Sequence, residues 1–159
     1  MADEQKSYEL TLPTDTEIKV TKVFDGPKKL VWKIYTDKEM IKKWWGNADG
    51  KTIIEQQDLV VGGKWKYTQK DGGEMGTFYG EYKILDEPNK LSYTFIWGGM
   101  PNKSLTETIT LEERDGKTYM LDVSTFDSKE DRDGMIETGM EEGMAFGFSQ
   151  MDKIIEENK

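Results

Sequence analysis

Six stretches of alternating residues, divided by tight-turn sequences and bracketed by helical patterns, decide most of what this chain can become. They run over 51–58, 64–70, 76–85, 90–97, 104–113 and 117–126. Between them stand Gly62-Gly63, Asp71-Gly72-Gly73, Glu87-Pro88-Asn89, Gly98-Gly99-Met100-Pro101 and Asp115-Gly116, all of them turn chemistry. Connections this short join antiparallel neighbours, so the six strands form a meander. Several strands carry an aromatic face: Trp65 with Tyr67, Tyr82 with Ile84, and Leu91 with Tyr93, Phe95 and Trp97.

The flanks supply the other layer. Residues 1–14 read as a flexible tail, and residues 15–159 as a single domain. From Thr16 to Phe24 the pattern sets Ile18, Val20 and Phe24 against Glu17, Lys19 and Lys22, which describes a half-buried strand. Asp25-Gly26-Pro27 ends it, and Pro27 suits a first helical turn. Leu30, Val31, Ile34 and Tyr35 then make one apolar stripe of a helix. Thr36-Asp37 closes that helix and caps a second short one from Lys38 to Trp44, before a loop at Gly46–Gly50. The last segment, from about Ser128 to Glu157, reads as one long helix with Met140, Met144, Phe148, Met151 and Ile155 at spacings of three and four. The order is strand, two short helices, six strands, long helix. This predicts an α+β helix-grip fold, a seven-stranded antiparallel curved sheet wrapped around a long C-terminal helix.

Composition removes whole classes of chemistry. The chain has no cysteine and no histidine, so disulfides, thiolate nucleophiles, histidine-ligated metals and a Ser-His-Asp triad are impossible. No cofactor or metal is expected. The net charge of −9 repels phosphate backbones and anionic lipid, so neither nucleic acid nor membrane is an expected partner. No apolar run reaches the roughly 18 residues of a membrane span. The polar, acidic start from Met1 to Lys6 is unlike a signal peptide, and the expected location is cytoplasmic.

A few features could carry chemistry. Gly139, Gly143 and Gly147 form a stripe on the last helix, and each glycine inside a helix costs ~1 kcal/mol against alanine. Close approach of the helix to the sheet, room for a ligand, or a later helix start would each account for it. The adjacent Trp44 and Trp45 diverge by ~100° on a helix, so they are either anchors or contacts for a partner. Glu107 and Asp122 interrupt apolar strands and are read here as facing solvent. If either turned inward, it would be a buried acid with a raised pKa. Ser128–Gly134 lacks the ligand spacing of a calcium loop, and no glycine turn here opens a helix as a phosphate loop does.

In chain order, Phe24-Asp25-Gly26-Pro27, Val31-Trp32, Tyr35-Thr36-Asp37, Trp44-Trp45-Gly46, Gly62-Gly63-Lys64-Trp65, Gly80-Glu81-Tyr82, Leu91-Ser92-Tyr93-Thr94, Gly143-Met144 and Phe148-Ser149-Gln150-Met151 resemble the heat-shock-protein-90 ATPase activator homologue (Aha1-like) family. That family belongs to the START/Bet v 1-like SRPBCC superfamily, and the resemblance spans roughly residues 16–157. Lys38 stands where the family usually has proline, and Met144 where it usually has tryptophan. The resemblance implies a cavity between the sheet and the long helix. It implies relatives that bind small apolar molecules, others that regulate the chaperone, and a few enzymes.

Three functions are therefore expected in descending order. The first is a binding protein for a small hydrophobic or aromatic molecule, with Trp65, Tyr67, Tyr82, Tyr93, Phe95, Met140, Met144 and Phe148 as cavity residues. The second is a protein-interaction module or chaperone regulator, with Trp44, Trp45 and the Gly98–Pro101 loop as contacts. The third is a cyclase- or hydrolase-like enzyme working through Asp, Glu, Tyr or Lys. The absence of any catalytic motif favours binding over catalysis.

Overall fold

The computed structural model describes residues 7–46, 52–70 and 73–159. The expected tail start (1–6), most of the Gly46–Gly50 loop and the Asp71-Gly72 part of one turn lie outside these residues. Eight strands form one open antiparallel sheet: β1 (Tyr8–Thr11), β2 (Glu17–Phe24), β3 (Thr52–Gln57), β4 (Lys64–Gln69), β5 (Thr77–Asp86), β6 (Lys90–Trp97), β7 (Ser104–Arg114) and β8 (Lys117–Thr125). Their spatial order is β1-β2-β8-β7-β6-β5-β4-β3. The six central stretches thus become the six strands of the meander, and β2 closes onto β8. The eighth strand is β1, which pairs with β2 inside what reads in sequence as a loose tail. Four residues with a single buried side chain, Tyr8, are too short a pattern to announce a strand.

The helices follow their caps. α1 (Lys28–Thr36) begins after Pro27, and α2 (Lys38–Trp44) is capped by Asp37, whose carboxylate accepts from the amides of Glu39 and Met40. The expected single C-terminal helix is two, α3 (Lys129–Glu137) and α4 (Met140–Glu157). The break is Gly139, whose φ of 84° is left-handed, a conformation glycine adopts without steric penalty. Ser128 caps α3 through the amide of Asp131.

The core fills the space between the concave sheet face and the helices. Ile18, Val20 and Phe24 of β2, Ile109 and Leu111 of β7, and Met120 of β8 meet Val31 and Ile34 of α1 and Phe148, Met151 and Ile155 of α4. Lys22, read from sequence with the polar residues of β2, instead shares the inward parity of Ile18 and Val20. It is buried, with its ammonium 3.1 Å from Asp152 of α4 and over the rings of Phe24 and Phe148. The methylene stem satisfies the core while the ammonium finds its partner at the rim.

The glycine stripe has no single cause. Gly139 lies outside the helix. A side chain on Gly143 would meet nothing within 4 Å. Only Gly147 marks a close approach, with a Cβ there lying 3.2 Å from the Trp44 carbonyl oxygen. That approach is to α2 rather than to the sheet.

Candidate functional site

The inward faces of β4, β5 and β6 build an aromatic wall. Trp65 and Tyr67 of β4 are 3% and 7% exposed, and Tyr82 of β5 is 4% exposed. The Trp65 ring centroid lies 4.8 Å from that of Tyr67 and 5.7 Å from those of Tyr93 and Phe95. Trp65 reaches this position because Gly80 is its partner across the strand pair. Any Cβ on Gly80 would collide with the backbone carbonyl of Thr94, which accepts the indole N–H of Trp65 at 3.2 Å. Gln57 of β3 donates its amide to the Thr36 carbonyl and the Tyr82 hydroxyl, and Tyr67 donates to Tyr82. Burial pushes the hydroxyls of Tyr67 and Tyr82 up, so both remain neutral donors.

The opposite wall is helical. Tyr35 of α1, Ile41 and Trp44 of α2, and Trp45 just after it face the aromatic sheet residues across a hollow of about 20 Å³. Tyr67, Tyr82, Leu91, Tyr93 and Trp65 complete its lining. Such a volume holds roughly one or two water molecules, so the side chains themselves occupy most of the space a ligand would use.

Of the residues expected to line a cavity, Trp65, Tyr67, Tyr82 and Tyr93 come together there. Phe95 stacks behind them, 5.7 Å from both Trp65 and Phe78. Phe148 lies elsewhere, packed on Tyr8 and Phe24. Met140 and Met144 are half-buried on the first turns of α4, outside the hollow's lining. Trp44 and Trp45 are also half-buried. Trp44 donates to the Ile34 carbonyl at 2.9 Å and packs edge-on to Tyr35, while Trp45 packs edge-on to Tyr67 and Phe78. Tyr35, Ile41 and Leu91 join the lining unannounced, though the stripe of α1 already placed Tyr35 on the buried side.

The reading of Glu107 and Asp122 as solvent-facing is overturned. Glu107 shares the inward parity of Leu105, Ile109 and Leu111, and Asp122 that of Thr118 and Met120. Asp122 is 9% exposed, lies between Val20 of β2 and Ile109 of β7 in register, and leaves its Oδ1 buried without a partner among the described residues. Burial, and then the neighbouring Glu107, push the Asp122 carboxyl well above the ordinary aspartate range. Tyr35 and Tyr93 are raised as well, by burial first and by these two acids next. Among the described residues no three acids gather as a metal site, and no helix is long and apolar enough to cross a membrane.

A family profile described as activator of Hsp90 ATPase homolog 1-like protein matches residues 25–156. The chain belongs to this family. Among solved structures it is similar to protein Ms6760 from Mycobacterium smegmatis, with 28% identity, 95% of this chain and 98% of that one covered, and a TM-score of 0.81. A protein from Arthrobacter aurescens matches with 28% identity, coverage of 94% and 91%, and a TM-score of 0.80. CalU16 from Micromonospora echinospora, at 19% identity, 92% and 85% coverage and a TM-score of 0.63, shares the fold. No curated protein matches the chain. For this member of the Aha1-like family, the helix-grip architecture holds, with eight strands in place of the expected seven.

Proposed function

We propose that this Aha1-like chain is a binding protein for a small apolar or aromatic molecule, held between the sheet and the helices. The observation that carries the reading is the hollow itself. Seven of its nine lining residues bring aromatic rings, and the polar groups among them are tyrosine hydroxyls and tryptophan indole N–H groups suited to orienting a ligand. Apolar walls with a few fixed donors are the usual make-up of small-molecule sites. At about 20 Å³ the hollow is closed down, so a ligand enters by displacing Trp44 or Trp45 from the helical wall.

The test is native mass spectrometry on protein taken from its host, followed by thermal-shift and tryptophan-fluorescence titration with apolar and aromatic compounds. Trp44, Trp45 and Trp65 all stand in the wall, so occupancy changes their emission. Ligand at a hundred times its Kd adds about 2.7 kcal/mol of stability. Substituting Leu91→Phe narrows the hollow and abolishes the shift. A bare mass and an unmoved melting temperature across the panel would sink the reading.

A second reading, a protein-interaction module acting on a chaperone, is supported by family membership and by an exposed apolar triplet. Leu59, Val60 and Val61 between β3 and β4 are 41%, 61% and 66% exposed. A partner that still binds the Leu91→Phe variant but not Val60→Asp with Val61→Asp would favour it.

A further inference from the structure

Glu107 and Asp122 form a second chemical feature on the concave face, adjoining the hollow. Tyr35 and Tyr93 belong to both, since they line the hollow and stand against the acids. Tyr93 faces Glu107 across β6 and β7, and the pKa of its hydroxyl is raised by burial first and by Glu107 next. Asp122 stands beside Glu107, and burial first and then Glu107 hold its carboxyl well above the ordinary aspartate range. The Asp122 Oδ1 atom is a buried acceptor with no hydrogen-bond donor among the described residues.

The charge is as unanswered as the oxygen. Among the described residues, no lysine or arginine pairs with either acid. The two buried cations are already partnered, Lys22 by Asp152 and the Ser7 carbonyl and Arg132 by Asp133 and the Thr14 carbonyl. A negative charge on either carboxyl would stand among Tyr35, Tyr93, Ile109 and Val20 with no cation to pair with among the described residues. A buried charge without a partner is strongly disfavoured, and a buried unsatisfied acceptor in a native fold marks a place that something else completes. A trapped water would satisfy Oδ1 but would leave the charge.

We propose that the Glu107–Asp122 pair, roofed by Tyr35 and Tyr93, is the anchoring end of the ligand site and takes the protonated amine of a small organic ammonium. This rests on the binding reading above and adds the chemical class of the ligand: an apolar or aromatic body in the hollow, with an ammonium head on the acids. The head brings donors for Oδ1 and for Glu107. Its positive charge answers theirs, and the tyrosine rings offer faces to a desolvated cation. The net charge of −9 draws cations toward the molecule from a distance.

The experiment is a fluorescence titration with matched pairs, such as 2-phenylethylamine against 2-phenylethanol and hexylamine against hexanol, at pH 7. The amines should bind at least tenfold more tightly than their alcohols. Asp122→Asn and Glu107→Gln should each remove that preference while leaving the alcohols within about threefold. Both substitutions discharge a buried acid, and a circular-dichroism melt of each confirms a folded state. As a second route, ¹³C NMR of the Asp and Glu carboxyl carbons should show Asp122 shifting on addition of amine and not of alcohol. Amine and alcohol binding equally would overturn the ammonium anchor and leave the apolar site standing. Failure of every amine and alcohol to bind the folded protein would overturn both.

Discussion

A carboxyl group facing inward between Val20 and Ile109 changes how the protein responds to pH. The Asp122 pKa is raised in the folded state by burial and by Glu107. A raised acid pKa means the folded state holds its proton where the unfolded chain has released it. Stability is therefore greatest below the unfolded value, about pH 4, and declines as pH rises from there toward the folded value. Asp25, Glu81 and Asp133 behave in the opposite sense, because their lysine and arginine partners lower their pKa values, but their contribution is lost only on acidification toward and below pH 4. Between pH 5 and pH 8 the slope belongs to Asp122. Chemical-denaturation curves over that range should show stability falling with pH in the natural chain and staying nearly level in Asp122→Asn. At pH 8 the variant should be more stable by about 1–3 kcal/mol, as when other buried charges are replaced. A natural chain whose stability is flat from pH 5 to pH 8 would mean the carboxyl is solvated and ionised after all.

At the level of elements, seven of the eight strands were legible because each turn carries its own chemistry, and those seven fall within a residue or two of the expected ones, while β1 was read as tail. The face of β8 was not legible. Its outward residues, Tyr119 and Leu121, are more apolar than the inward Thr118 and Asp122, and Tyr119 is covered from outside by the Arg114 guanidinium 4.0 Å above its ring. The neighbouring β7 did hold the answer, since Leu105, Ile109 and Leu111 put Glu107 inward by parity alone. The break between α3 and α4 was hidden for a different reason. Apolar residues recur every three or four positions on both sides of Gly139, so periodicity runs through a residue whose φ does not. The three glycines consequently answer differently to substitution. Gly143→Ala, exposed at the end of the first turn of α4 with open space around it, should stabilise the protein by about 0.5–1 kcal/mol. Gly147→Ala gains the same helix propensity but sets a Cβ 3.2 Å from the Trp44 carbonyl oxygen, so the backbone of α2 must yield by a few tenths of an ångström. It should be net destabilising by about 1 kcal/mol or more. Urea unfolding of the two variants beside the natural chain checks both signs, and a stabilised Gly147→Ala would show that α2 and α4 are free to separate.

On the scale of the whole molecule, the proposed ligand site requires some part of the fold to give way, because the hollow holds only about 20 Å³. The sheet is held by continuous antiparallel ladders from β1 to β3, and α4 is anchored by Phe148, Met151, Ile154 and Ile155 in the core. α2 is the weak member. It has seven residues, one of them, Ile41, fully buried, and its last residue Trp44 and its C-cap Trp45 both stand in the wall of the hollow. A short helix with little buried surface opens at lower free energy than core strands do. Its departure would take both indoles out of the ligand's way while leaving the Trp65–Tyr67–Tyr82 wall in place. Hydrogen exchange followed by mass spectrometry should therefore show the amides of α2, including that of Trp45 bonded to the Ile41 carbonyl at 2.9 Å, exchanging well before those of β6 to β8. A bound ligand should change the exchange of α2 more than that of any other element, because it binds with the indoles displaced and shifts the population of α2 toward that state. Exchange from α2 as slow as from β7 and β8 would place the door elsewhere. α4 would then be the element to watch, through its half-buried first turns at Met140 and Met144.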